Sequence, residues 1–295
     1  MTSRGWLNTK FWQKRLRKAR NAVAKRFFNT RTGRRLLIES IGPRVVSMNV
    51  CSDQLLLTLA DPEQILGLSR FSRDGWQSWA ADRARRYPVL SGGAEDVLVA
   101  KPDIVVASLF DKRSTRELLK ANGLHLAEFT VPRTLDEVKD QIREMGEVVQ
   151  HPDRARAEIA RLDAAIARAR QAATDKHYRV LPLSRRGWVS GRDSLVSSLL
   201  TETGLLNPAG ELGVAFGGFA SMEAIISLKP DFILVSEAGD RAEDDGRAFL
   251  LHPALERFYP PEKRIVIPER LTVCGGVMLA EALDVLTAEL KRVSR

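Results

Sequence analysis

The chain is poor in the side chains that most often hold metals or build disulfide frameworks. Its 295 residues include two cysteines, four histidines and three tyrosines. Two cysteines, Cys51 and Cys274, exclude a disulfide-dense scaffold and a Cys-x-x-Cys metal motif. The expectation is two free thiols; a single bridge stays open if both fall on facing loops. His125, His151, His177 and His252 are scattered, with no i, i+4 pair. No histidine cage for a bare ion is expected and no metal ligand is assigned; a haem ligand from a histidine or methionine stays open. Nothing approaches the run of about 18 apolar residues that reads as a membrane span. Nor is there the apolar core of about 7–15 residues of a secretory signal. Arg34-Arg35-Leu36-Leu37 is faintly similar to a twin-arginine signal, but Glu39 interrupts the run that follows. No Gly-x-Gly-x-x-Gly, Walker loop or nucleophile–base constellation is present, which argues against an enzyme.

Acidic residues are missing from the first 35 positions, which hold 12 Lys and Arg. The formal charge of +9 therefore belongs to this tail, because the other 260 residues carry 34 basic and 37 acidic side chains. A slightly acidic body without a nucleic-acid module argues against DNA or RNA as partner. Trp6, Leu7, Phe11, Trp12, Leu16, Val23 and Phe27 interleave with the charge. A solvated extension is the favoured reading of residues 1–43, with a basic amphipathic helix on a membrane as the other.

What the chain does contain is a repeat. Residues 94–108 read AEDVLVAKPDIVVAS and residues 222–236 read MEAIISLKPDFILVS. Glu95 aligns with Glu223, and Lys101-Pro102-Asp103 with Lys229-Pro230-Asp231, each 128 positions apart. Each copy reads as an acidic helix start, a proline-ended helix and a short apolar strand. Continuous apolar strands belong to a parallel sheet covered on both faces. Two copies imply two similar lobes with a cleft between them. Spacing alone leaves each glutamate two roles, support of its helix end or a place on the functional face.

Strands are expected at 44–48, 64–69, 104–108 and 124–129, then at 178–183, 232–236 and 264–267. Helices fall between them, at 52–60, 94–100, 114–122, 135–149, 194–204, 222–228 and 277–292. The alternation gives an α/β fold. Ala155, Ile159, Leu162, Ile166 and Ala169 recur at helical spacing. They predict a helix over 152–174, about 33 Å long, which would join the lobes and permit little interlobe motion. The expected organisation is a tail at 1–43, one lobe at 44–151, the connecting helix, and a second lobe at 175–295.

RVVSMNVCSDQLLL at 44–57, ADPEQILGLS at 60–69, GWVSGRDSLVSSLLTETGLLNPA at 187–209, the two E-(x)6-P-D units and CGGVMLAEALDVL at 274–286 carry a family resemblance. Over residues 44–293 the chain resembles the substrate-binding proteins of ABC importers for vitamin B12, ferric siderophores and haem. The resemblance implies two Rossmann-like lobes with parallel sheets, one long interlobe helix and a ligand between the lobes. It implies a monomeric, non-enzymatic carrier of a metal chelate or corrinoid, with no resident cofactor, delivering to a permease dimer and its ATPase. It implies that Glu95 and Glu223 dock on that permease. It also implies a periplasmic site, whereas no clear export signal is found; the favoured explanation is a true start other than Met1. A two-lobed enzyme, such as a glycosyltransferase or chelatase, is the alternative.

Ligand contacts are expected from loops that follow strands. In the first lobe these are Asn49, Asp53, Arg70, Trp76, Trp79 and Phe110. In the second they are Trp188, Arg192, Phe219, Glu237 and Arg270. Indole faces suit large conjugated ligands and arginines pair with carboxylates. For each tryptophan ordinary packing is the competing role, and for each arginine a solvated one.

Overall fold

The computed structural model describes residues 42–236 and 249–293. Two sheets form the framework. The first comprises β1 (Val45–Ser47), β2 (Ile65–Gly67), β3 (Ile104–Ser108) and β4 (Leu126–Phe129), all parallel, in the order β2-β1-β3-β4. Val45, Val46, Val105 and Val106 are fully buried, as expected of strands covered on both faces. The helices around it are α1 (Val50–Leu59), α2 (Ala81–Ala84), α3 (Ala94–Ala100), α4 (Arg113–Ala121) and α5 (Leu135–Val148).

The second sheet comprises β5 (Val180–Ser184), β6 (Trp188–Ser190), β7 (Gly217–Phe219), β8 (Phe232–Val235) and β9 (Arg264–Val266), in the order β7-β6-β5-β8-β9. β5, β8 and β9 run parallel, but β6 and β7 are antiparallel additions at one edge. The two additions were not expected from the sequence. They are three residues each, and β7 contains Gly217 and Gly218, so they carry no apolar run. The helices of this half are α7 (Leu195–Glu202), α8 (Met222–Leu228), α9 (Pro253–Phe258) and α10 (Leu279–Val293).

Between the sheets runs α6 (Pro152–Ala173), with Pro152 in its first turn, where the absent N–H costs nothing. Leu162, Ala165 and Ala169 on this helix are fully buried. They belong to one apolar cluster that reaches Val45 and Val106 in the first sheet, Phe232 and Ile265 in the second, and Leu283 and Leu286 on α10. The lobes therefore share a core. Cutting Leu162 to alanine would cost about 2–5 kcal/mol.

The repeat has a structural counterpart. Lys101 and Lys229 both end their helices in the left-handed region, at φ 48°, ψ 56° and φ 49°, ψ 54°. The residue before a proline usually goes extended; here the turn required by the following strand prevails. Asp103 then accepts from the backbone N–H of Arg44 at 2.8 Å, and Asp231 from that of Arg179 at 2.8 Å. Each Lys-Pro-Asp thus ends a helix, reverses the chain and stitches the next strand to its neighbour.

The expectation of free thiols is corrected. Cys51 and Cys274 form a disulfide, with Cα atoms 5.3 Å apart. Cys51 lies in the first turn of α1 and Cys274 in the segment before α10. Folding brings this helix start and this segment together at the junction of the lobes, a proximity invisible across 223 residues of sequence.

Candidate ligand cleft

The loop after β1 and the loop after β3 are tied together. Asn49 caps α1, its side-chain oxygen accepting from Ser52 N–H at 3.0 Å. Its amide donates to Asp111 Oδ2 at 3.2 Å, and that oxygen also accepts from Ser108 N–H at 2.7 Å.

Asp53 is fully buried. Its carboxyl accepts from Ser69 N–H at 3.0 Å and from Ser69 Oγ at 2.5 Å. Burial pushes it up to about 7, against the lowering effect of the Ser69 and Ser47 hydrogen bonds. It anchors the start of the 69–80 loop and faces no open space. Trp79 is likewise part of the framework. Its backbone N–H donates to Gln54 Oε1 at 2.9 Å, its indole N–H to Glu281 Oε2 at 2.6 Å, and Arg83 lies 4.6 Å above the ring. The structure thus gives Asp53 and Trp79 to the scaffold of the cleft rather than to its lining.

A cavity of about 440 Å³ opens at the carboxyl ends of the second sheet and is lined on the other side by part of the 69–80 loop. The first lobe contributes Trp76 and Gln77. The second contributes Ser184 and Arg185 after β5, Ser190 at the end of β6, Leu234 and Ser236 at the end of β8, then Leu250, Glu269, Thr272 and Val273. Of the expected contacts among the described residues, Trp76 alone is in this lining. Arg185, Glu269 and Gln77 were not anticipated, although Arg185 immediately follows a strand, the position from which contacts were sought.

The remaining described candidates sit outside the cavity lining. Trp188 on β6 and Phe219 on β7 are paired across the ladder, edge to face, with ring centres 5.0 Å apart. Gly217 makes this possible, because a Cβ there would lie 2.4 Å from the Trp188 ring. Phe110 follows β3 and is 80% exposed. Arg70 lies 4.6 Å over the ring of Phe71, and Arg133 lies 4.7 Å over Phe216, joining a loop of the first lobe to one of the second. Arg133 was not anticipated. Arg192 faces Asp193 at 3.6 Å, and Arg270 lies in the short turn Glu269–Leu271 beside the lining. Glu237 lies outside the described residues.

Glu95 and Glu223 are each the second residue of their helix and are exposed. The Glu223 carboxyl is held below its usual value, chiefly by hydrogen bonds to backbone and to Ser221. Among the described residues no cluster of His, Cys, Asp or Glu could hold a metal ion, and no helix is long and apolar enough to cross a membrane.

Two sheets, one long helix between them and a cavity lined from both sides make a two-lobed frame around an interlobe cavity. A family model described as periplasmic binding protein matches residues 45–260. The chain belongs to that family. The family and the structural neighbours are binding proteins, not enzymes. A cobalamin-binding protein of Halobacterium salinarum is 24% identical over 232 residues, covering 75% of this chain and 61% of that protein. The chain thus matches about three-fifths of that relative's length. Among solved structures, the periplasmic heme-binding protein RhuT from Roseiflexus sp. RS-1 in apo form is 25% identical, with a TM-score of 0.71 over 86% of this chain and 100% of that one. An ABC-type Fe3+-hydroxamate transport protein from Saccharomonospora viridis shares the fold at 18% identity, with a TM-score of 0.65 over 84% of this chain and 93% of that one.

Proposed function

We propose that the protein captures a metal chelate or corrinoid between its lobes and delivers it to the permease of an ABC importer. One observation carries this reading: an indole, Trp76, with Gln77 beside it, faces a cavity whose opposite walls come from the second lobe. Exposed aromatics, Phe110, Phe216, Phe219 and Trp188, extend apolar surface beyond the cavity itself. A cargo larger than the cavity would spread onto them. Arg185 supplies a cation for cargo carboxylates or phosphate. Contacts from Arg70, Arg192, Arg270 and Glu237 complete the proposed set, and Asn49 shapes the loop beside it. The protein acts as a monomer without a resident cofactor.

Glu95 and Glu223 are the proposed docking points, one exposed carboxylate per lobe, for arginines of the permease dimer whose ATPase drives release. Paired charges of this kind set orientation and encounter rate. The site of action is the periplasm. The Cys51–Cys274 bridge supports that setting, since structural disulfides persist in oxidising compartments.

The test is tryptophan fluorescence of the full chain titrated with cobalamin, haemin and ferric siderophores, corrected for inner-filter absorption. Saturable quenching by one of them, lost in Trp76→Phe, is the expected result. No response to any would remove the metal-chelate reading.

A further inference from the structure

The side chains that ligate haem iron are histidine, tyrosine, methionine and cysteine. In this chain nearly all have a position in the structure, and none lines the cavity. Cys51 and Cys274 are bonded to each other. His125 precedes β4, and His177 and Tyr178 precede β5; these are the amino-terminal ends of the strands, away from the cleft. His151 is bonded through Nε2 to Asp61 at 2.9 Å. His252 Nδ1 accepts from Ala254 N–H at 3.2 Å. A neutral ring accepting there carries its proton on Nε2, which removes that lone pair. Tyr259 is buried, and burial pushes its phenol up to about 12. Tyr87 packs against the main core. Met145 and Met278 are fully buried, and Met48 and Met222 pack against the smaller apolar clusters. Residues 237–248 contain none of the four residue types, and residues 1–41 contain only Met1.

The polar groups that do line the cavity are of another kind. Gln77, Ser184, Ser190, Ser236 and Thr272 are neutral hydrogen-bonding groups, with Arg185 as a cation and Glu269 as a lone carboxylate. Such a lining recognises amides, hydroxyls and carboxylates on the rim of a cargo, and offers its metal no axial partner.

We infer that the cleft grips the periphery of a cargo whose metal already has a complete coordination sphere, and discriminates against a haem with an open axial position. A corrinoid with both axial sites filled and a hexadentate ferric chelate both meet this description. The inference rests on the carrier reading above and narrows it.

The test uses the oxidised full chain with three probes: cyanocobalamin, a ferric trihydroxamate and haemin. Tryptophan quenching gives affinity and visible absorption gives coordination. Cyanocobalamin or the trihydroxamate is expected to bind at least about tenfold more tightly than haemin, with its own metal bands unmoved. Haemin binding as tightly as either, or showing the Soret band of a protein-ligated iron, overturns the inference and leaves the carrier reading standing. Failure of all three to bind overturns the carrier reading and this inference with it.

Discussion

Cys51 and Cys274 join the first turn of a helix in one lobe to the segment that leads into the last helix of the other. The bridge closes a loop of more than 220 residues. It therefore restricts the unfolded chain strongly while adding a fixed point beside the shared core. Reduction, or Cys51→Ser with Cys274→Ser, is expected to lower stability by about 2–5 kcal/mol. Urea unfolding with and without reductant measures this. A midpoint unchanged by reductant would show that the bridge contributes nothing to stability.

Trp76 and Trp79 are three residues apart and do different work. Trp76 faces the cavity, whereas Trp79 donates to Glu281 on α10 and lies under Arg83. Trp79→Phe removes the donor to a carboxylate and is expected to cost about 1–2 kcal/mol of stability, with cargo affinity nearly unchanged. Trp76→Ala is expected to do the reverse: affinity drops about tenfold or more and the unfolding midpoint barely moves. Thermal unfolding and ligand titration of both variants decide it. Equal losses of affinity in the two would place Trp79 in the site after all.

The same contrast shows how far the sequence could be read. The repeat of apolar runs and Lys-Pro-Asp turns was legible because burial on both faces and strand stitching leave a local mark. The long helix was legible because Leu162, Ile166 and Ala169 recur at its period. Three-residue strands such as Gly217–Phe219 leave no such mark, since their pairing is decided by a partner strand about 29 residues away. The roles of Asp53 and Trp79 were equally hidden. Both follow strands or caps as ligand contacts do, and only Ser69 and Glu281 reveal them as structural. Arg133 and Phe216 meet through tertiary packing alone.

Asp53 gives a pH dependence with a definite sign. Its folded value, about 7, lies above the ordinary 3.8 because burial disfavours the charge. Between those values the folded chain holds a proton that the unfolded chain has released. Stability from this group is thus greatest below about pH 4 and declines, by at most about 1.4 kcal/mol per pH unit, as pH rises toward 7. Asp53→Asn keeps the shape and cannot ionise. Relative to the parent, that variant is expected to gain stability steadily from pH 4.5 to pH 7, following the roughly unit-slope linkage. Denaturant curves across the range measure the difference. A difference that does not vary with pH would mean that Asp53 is not protonated in the fold.

Glu95 and Glu223 test delivery separately from capture. Both are exposed at the starts of their helices, and neither lines the cavity. Both carboxylates lie in the first turn of a helix, where loss of a charge at an exposed helix start costs only a small part of the stability, so Glu95→Ala with Glu223→Ala should still fold and bind cargo as the parent does. Docking charges act mainly on encounter and orientation, so uptake in reconstituted vesicles is expected to fall about tenfold, most strongly at low salt. The single variants should be intermediate, because each lobe would keep or lose its own contact. A double variant that binds and transports normally would remove these carboxylates from docking while leaving the cleft untouched. One that loses cargo affinity as well would tie the helix starts to the ligand rather than to the permease.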